Sequence, residues 1–146
     1  MIIFDTLSVI DTATYLQKNE IADFLVLHLG KYGDPKEDIM KCLDYALDQG
    51  FQAGGFVIMA RENDKIVGAV VMNKTGMSGY IPENILVYIA VDAEMRGKGI
   101  GGQLMDHAVK MANGGIALHV EADNPARKLY ERLGFTNKYL EMRLTK

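Results

Sequence analysis

The chain of 146 residues is 49% hydrophobic and 24% charged, the balance of a soluble globular protein, and its length suits one domain over 1–146. A net charge of -3 argues against a nucleic-acid binder, which carries a basic face. Cys42 is the one cysteine, so an intrachain disulfide is excluded and a reducing, cytoplasmic setting is expected; the stretch MIIFDTLSVIDT lacks the basic start of a signal peptide, and no apolar run is long enough to span a membrane.

Ile2–Val9 is apolar and β-prone and predicts a first strand. Thr12 or Thr14 caps a following helix, whose Ile21, Phe24, Leu25 and Leu29 share one face; KYGDP ends it. Asp34 reads as the N-cap of a second helix, with Pro35 at its first position and Glu37 completing a capping-box-like pattern. Ile39, Leu43, Ala46 and Leu47 form its buried stripe, and Gly50 stops it. The period then changes to two. Phe56–Ala60 and Ile66–Met72 flank the turn RENDK, and so short a connection dictates an antiparallel hairpin. A glycine-rich loop, KTGMSGYIPEN, leads to Ile85–Val91, apolar on both faces and therefore a central strand. After a second glycine loop comes a helix with Leu104, Ala108, Met111 and Ala112 on one face, ended by NGG. Ile116–Val120 is a further buried strand. Asn124 and Pro125 open a short helix with Ala126, Leu129, Tyr130 and Leu133 facing inward, and Gly134 ends it; Phe135–Leu144 supplies one or two last strands. This order defines an α+β fold. A mixed, mostly antiparallel central sheet is flanked by about four helices, with one βαβ crossover between the fourth and fifth strands.

The second glycine loop, Arg96–Gly102, packs four glycines and two cations into seven residues. So many glycines lose much chain entropy on folding unless something must approach the backbone closely. Read from Gly97, the residues Gly97, Gly99 and Gly102 satisfy G-x-G-x-x-G, the dinucleotide fingerprint, with Glu121 near the spacing of a ribose-binding acid. Against that frame, five residues (Asp92–Arg96) separate the strand from the first glycine, the loop lies in the last third of the chain, and the upstream strands join as hairpins. The P-loop pattern G-x-x-x-x-G-K-[ST] is absent. Read from Arg96, the frame becomes R-x-x-G-x-G, supplied by Arg96, Gly99 and Gly101. Together with the flanking ILVYIAVDAEMRGKGIGGQLM and the downstream LHVEADNPARKLYERLGF, it makes the chain from Ile85 to Phe135 resemble the GNAT-type, acyl-CoA-dependent N-acetyltransferases.

That resemblance implies acetyl-CoA as co-substrate and transfer of its acetyl group to a primary amine, of a small molecule or a protein, by direct attack. A covalent enzyme intermediate is not expected, because Cys42 has no paired base. The pyrophosphate of coenzyme A would lie on backbone N–H groups of Gly97, Lys98, Gly99, Ile100, Gly101 and Gly102, at the positive end of the next helix, with Arg96 and Lys98 adding charge. The resemblance also places the pantetheine arm along the backbone of Ile89, Ala90 and Val91, in a slot where the fourth and fifth strands splay apart. Asn124, which is equally a good helix cap, Arg127 and Tyr130 complete the cofactor contacts. Tyr130 is either a core tyrosine or the general acid for the departing thiolate. The base candidates are Glu83, Tyr88, His119, Glu121 and His28; His119 and Glu121 would share one face of the fifth strand. His28, His107 and His119 stand apart with no cysteine at ligand spacing, so no metal is expected. The acceptor site would be shaped by the regions His28–Asp38 and Lys74–Asn84, where Asp34, Glu37, Asp38 and Glu83 would suit a cation. Homodimers are common in that family, and the residues leave this open. The alternative is a coenzyme A-binding regulatory or structural protein that has lost catalysis.

Overall fold

Apolar, β-branched runs alternate with turn residues in the first half of the chain, and they fold as successive hairpins. In the computed structural model, which describes residues 1–50 and 52–146, five strands form one sheet in the order β1-β2-β3-β4-β5. They are β1 (Ile3–Ser8), β2 (Gly55–Glu62), β3 (Lys65–Lys74), β4 (Asn84–Val91) and β5 (Ile116–Leu118). The pairs β1–β2, β2–β3 and β3–β4 are antiparallel and β4–β5 is parallel. Asn63 and Asp64 join β2 to β3 with φ of 51° and 66°, the left-handed pair that a tight two-residue hairpin demands.

Four helices cover the sheet: α1 (Tyr15–Leu29), α2 (Lys36–Leu47), α3 (Ile100–Met111) and α4 (Ala126–Arg132). Thr14 caps α1, accepting from the Gln17 N–H at 3.1 Å, while Gln17 Oε1 accepts from the Thr14 N–H at 2.8 Å. Ile21, Leu25, Ile39 and Leu43 of α1 and α2 pack with Val57, Val71 and Tyr88 on one face. Ile100, Leu104, Met105 and Ala108 of α3, with Tyr130 of α4, pack with Ile58, Val70 and Leu86 on the other. The predicted α+β architecture is therefore the observed one.

Three local predictions differ. Asp34 does not cap α2: the N-cap residue is Pro35, and no side chain bonds to the helix end. Met111 and Leu133, predicted inward, are exposed at the last turns of their helices, beyond the layer the sheet covers. β4 is central as predicted, between β3 and β5, its residues alternating between buried and half-buried. β5 stops at Leu118, and Phe135–Leu144 forms no strand. With three residues, β5 offers too short an edge to pair with the tail, and Tyr139, Leu140, Met142 and Leu144 lie exposed.

One ionic group ties α1 to α2. Lys18 is 9% exposed, and its Nζ lies 2.9 Å from both Asp44 Oδ1 and Asp48 Oδ1. Burial disfavours its charge, but the two carboxylates more than compensate, so its pKa is raised above the ordinary 10.5. The stabilisation is fully present below that ordinary value and is lost as pH rises through the higher folded-state value. Lys18→Met is expected to cost about 2 kcal/mol in urea unfolding at neutral pH, since it leaves two facing carboxylates without their donor. The gap between the two proteins should narrow in strongly alkaline solution, where Lys18 loses its proton, and in acid, where the two carboxylates gain theirs.

Candidate active site

The site begins with a register error. Val71 of β3 pairs with Tyr88 of β4, and Met72 with Leu86, which leaves Val87 unopposed. Such a bulge bends a strand and increases its twist. Leu86 accordingly packs on the α3 side of the sheet and Tyr88 on the α1–α2 side, although two residues apart they would normally share a face. β5 follows β4 only through Asn84–Ile116, Ile85–Ala117 and Leu86–Leu118. Past Leu86 no residue of β5 pairs with β4, which leaves a slot in the ladder along that edge among the described residues.

The backbone of β4 lines that slot. Asp92 donates its N–H to Val67 O at 2.9 Å, so alternation turns the peptide groups of Ala90 and Tyr88 toward β3. Those of Ile89 and Val91 point the other way, into the slot. Of the three residues assigned to the pantetheine arm, Ala90 turns its peptide to β3 and its side chain to the core, while Ile89 and Val91 turn theirs away from β3, the Val91 carbonyl accepting from Arg96 Nε.

Directly after β4 comes the glycine loop. Asp92 Oδ1 accepts from the Glu94 N–H at 3.0 Å and starts a 3₁₀ turn, Ala93–Met95. The Arg96 guanidinium donates through Nε to Val91 O at 3.3 Å and through Nη2 to His28 O at 3.0 Å. It braces the loop against the end of α1 and is not aimed outward. Lys98 is exposed, its ammonium 3.8 Å from Met95 Sδ. Gly99, with φ of 81°, is the N-cap of α3 and carries no capping side chain. The N–H groups of the first helical turn therefore lack intrahelical partners. An added Cβ would meet nothing within 4 Å at Gly97 or Gly102, and only Gln103 Nε2 at 4.0 Å at Gly99. Gly97 and Gly99 have φ of 81° and need glycine for their backbone, whereas neither φ nor packing requires it at Gly102, where the space is open to an approach from outside. Gly101 differs: its Cβ would touch Val91 Cγ2 at 3.6 Å and Leu129 Cδ2 at 3.7 Å. Ile100 buries its side chain in the core and offers only its N–H.

Tyr130 of α4 packs in the core on the α3 face of the sheet. It is 7% exposed, yet its hydroxyl has no partner among the described residues and is not a sealed polar atom. Burial, with a smaller contribution from the charge of Glu121, pushes its pKa up to about 12. Tyr130 thus keeps its proton at neutral pH and has it free to donate. Asn124 Oδ1 accepts from the Ala126 N–H at 2.9 Å and serves as a turn-forming cap before α4. Its Nδ2 reaches Glu121 Oε1 at 3.4 Å. Arg127 faces Glu131 at 4.0 Å on the surface.

The base candidates sort by what holds them. Glu83 is a clamp: its carboxylate accepts from the Gly79 N–H at 2.9 Å and the Gly115 N–H at 2.6 Å, which keep its pKa below the usual carboxylate range. Tyr88 donates to Asp34 Oδ2 at 2.5 Å; burial, then that carboxylate, drive its pKa far up, so it holds its proton rather than taking one. His28 Nδ1 accepts from the Ala93 N–H at 3.4 Å, its ring stacked on Phe24 behind the loop. His119 and Glu121 lie beyond the end of β5, exposed, so they are loop residues and not one strand face. They are the two candidates held neither by a backbone N–H nor by the Asp34 carboxylate. Among the described residues no three His, Cys, Asp or Glu side chains group as metal ligands, and no helix is long and apolar enough to cross a membrane.

Two features went unread in the sequence. The turn between α1 and α2 crosses the slot: Tyr32 Oη donates to Asp123 O at 3.3 Å on the β5 side, and Lys31 Nζ lies 3.4 Å from Asp123 Oδ2. Two residues on, Asp34 meets Tyr88 on the β4 side. Neither contact has a local signal, since the partners are 91 and 54 residues apart.

Residues 53–137, which hold the slot, the glycine loop and α4, match the family model of the acetyltransferase (GNAT) domain. The chain belongs to the GNAT acetyltransferase family. It is 35% identical over 85 residues to N-alpha-acetyltransferase 30 of Schizosaccharomyces pombe, a match over 55% of this chain and 57% of that protein's length. Two solved GNAT acetyltransferases share the fold. The ribosomal-protein-alanine N-acetyltransferase of Brucella melitensis biovar Abortus 2308 is 18% identical, with a TM-score of 0.66 over 100% of this chain and 99% of that one. The aminoglycoside N-acetyltransferase AAC(6')-Iy, solved in complex with CoA, is 13% identical, with a TM-score of 0.69 over 100% and 96%.

Proposed function

We propose that the chain is an acetyl-CoA-dependent N-acetyltransferase that acetylates a primary amine by direct attack, in the cytoplasm. The observation that carries this is the meeting of the start of α3 with the unpaired edge of β4. The first N–H groups of α3 lack intrahelical partners, Gly101 lies against Val91, Ile89 has no β5 residue paired with it, and Tyr130 packs on the same face of the sheet as Ile89 and Val91. A pyrophosphate fits the first turn of α3, where the helix dipole and open N–H groups favour an anion. An amide-bearing arm fits the strand edge, which offers both donors and acceptors.

Bound there, acetyl-CoA would supply the thioester carbon that the amine attacks. The N–H groups of Gly99 to Gly102 would hold the phosphates, and Ile89 and Val91 would align the arm. Tyr130 would give its proton to the departing sulfur. His119 or Glu121, directly or through water, would take the proton from the amine. Asn124 and Arg127 would flank the cofactor at the start of α4.

The relative in S. pombe is named for N-alpha-acetylation, so an N-terminal peptide amine belongs beside small amines in the acceptor panel. The test is thiol release from acetyl-CoA with that panel. Release that depends on one class of amine supports the transferase. Coenzyme A binding with no release from any acceptor favours a binding protein that has lost catalysis.

A further inference from the structure

Asp34 stands before Pro35, where it could cap α2 and stabilise it by about 1 kcal/mol. It does not: Pro35 occupies the N-cap, and the helix start is left without a side-chain bond. The carboxylate turns instead to the Tyr88 hydroxyl, at 2.5 Å. Tyr88 is 7% exposed and is the first residue past the bulge, so Asp34 is held against β4 where the slot opens. Giving up a local cap for a distant partner is the pattern expected where a side chain is placed for function.

The charges around Asp34 point the same way. Asp23 has Lys36 at 2.7 Å, Asp38 has Lys41 at 3.6 Å and Asp123 has Lys31 at 3.4 Å. Among the described residues no cation lies within 4 Å of Asp34, whose partner is a neutral phenol. Glu37, on the first turn of α2, is exposed and adds to the negative field. A fixed carboxylate touching the reacting nitrogen would hold the proton on it and oppose attack. A carboxylate here can select a cationic acceptor without that penalty when it holds a second positive group.

We propose that Asp34 determines specificity by holding a cationic group that the acceptor carries besides its reacting amine, with Tyr88 as the residue that positions Asp34. This rests on the transferase function proposed above. The charge can belong to a small diamine or to a basic residue next to a peptide's N-terminal amine, and the test has an arm for each.

The experiment measures thiol release from acetyl-CoA with 1,4-diaminobutane against butylamine, and with a peptide carrying lysine at its second position against the same peptide carrying glutamine. Wild-type protein is expected to favour the cationic member of at least one pair by about tenfold in kcat/KM, the scale of a charge-assisted hydrogen bond. Asp34→Asn keeps an acceptor for the Tyr88 hydroxyl but removes the charge. It should abolish that preference by raising KM for the cationic member more than for the neutral one. Asp34→Glu should restore part of the preference, and Tyr88→Phe should weaken it without removing it. Turnover with no charge preference in wild type, or a preference that survives in Asp34→Asn, overturns the proposal alone. Thiol release from no acceptor at all overturns the transferase function and this proposal together.

Discussion

Gly102→Glu is expected to lower acetyl-CoA affinity by about 100-fold or more while leaving the melting temperature unchanged. Gly102 lies in the first turn of α3, where an added Cβ meets nothing within 4 Å. A glutamate there suits the helix dipole, so the fold should not suffer. The same carboxylate would occupy the place assigned to the pyrophosphate, and like charges at contact distance repel strongly where water is partly excluded. Gly99→Glu is the less informative variant, because φ of 81° at that position strains any side chain and mixes folding with binding. Titration calorimetry gives the affinity and a thermal melt gives the stability. Unchanged affinity would remove the phosphates from the start of α3.

Tyr130→Phe is expected to lower kcat by about 100-fold, the lower end of the range for a general acid, with little change in acetyl-CoA affinity. The hydroxyl has no partner among the described residues, so its removal leaves none of them unpaired and should alter stability little. With its pKa pushed up to about 12, Tyr130 stays protonated through neutral and mildly alkaline pH. Any fall in kcat between neutral pH and that value therefore belongs to another group. Pre-steady-state and steady-state thiol release separate the chemical step from binding. Equal kcat in wild type and variant would make Tyr130 a packing residue on the inner face of α4.

The glycine loop before α3 was legible in the sequence because its signal is local. RGKGIGG needs no distant partner to be recognised, and its frame was set by the run that precedes it and by NPARKLYERLGF after it. The hairpins were legible for the same reason, each carrying its own turn residues. The slot was not. It depends on Val87 having no partner across β4 and β3, a mismatch between two strands that neither strand displays by itself. Asp34 was misread as a cap because local propensity favours that role, and a tertiary hydrogen bond to Tyr88 outweighed it. Glu83 looked like a base until Gly79 and Gly115 brought their N–H groups to it, which only the folded loops could do. The tail from Phe135 alternates like a strand, but alternation cannot supply an edge to pair with.

Amide hydrogen exchange with and without coenzyme A tests the slot most directly, since it reports on the backbone groups themselves. Coenzyme A is expected to slow exchange at Ile89, Val91 and Gly99 to Gly102, and to leave β1 at the opposite edge of the sheet unchanged. No added protection at those amides under saturating coenzyme A, or protection confined to residues elsewhere, would contradict the slot as the cofactor site.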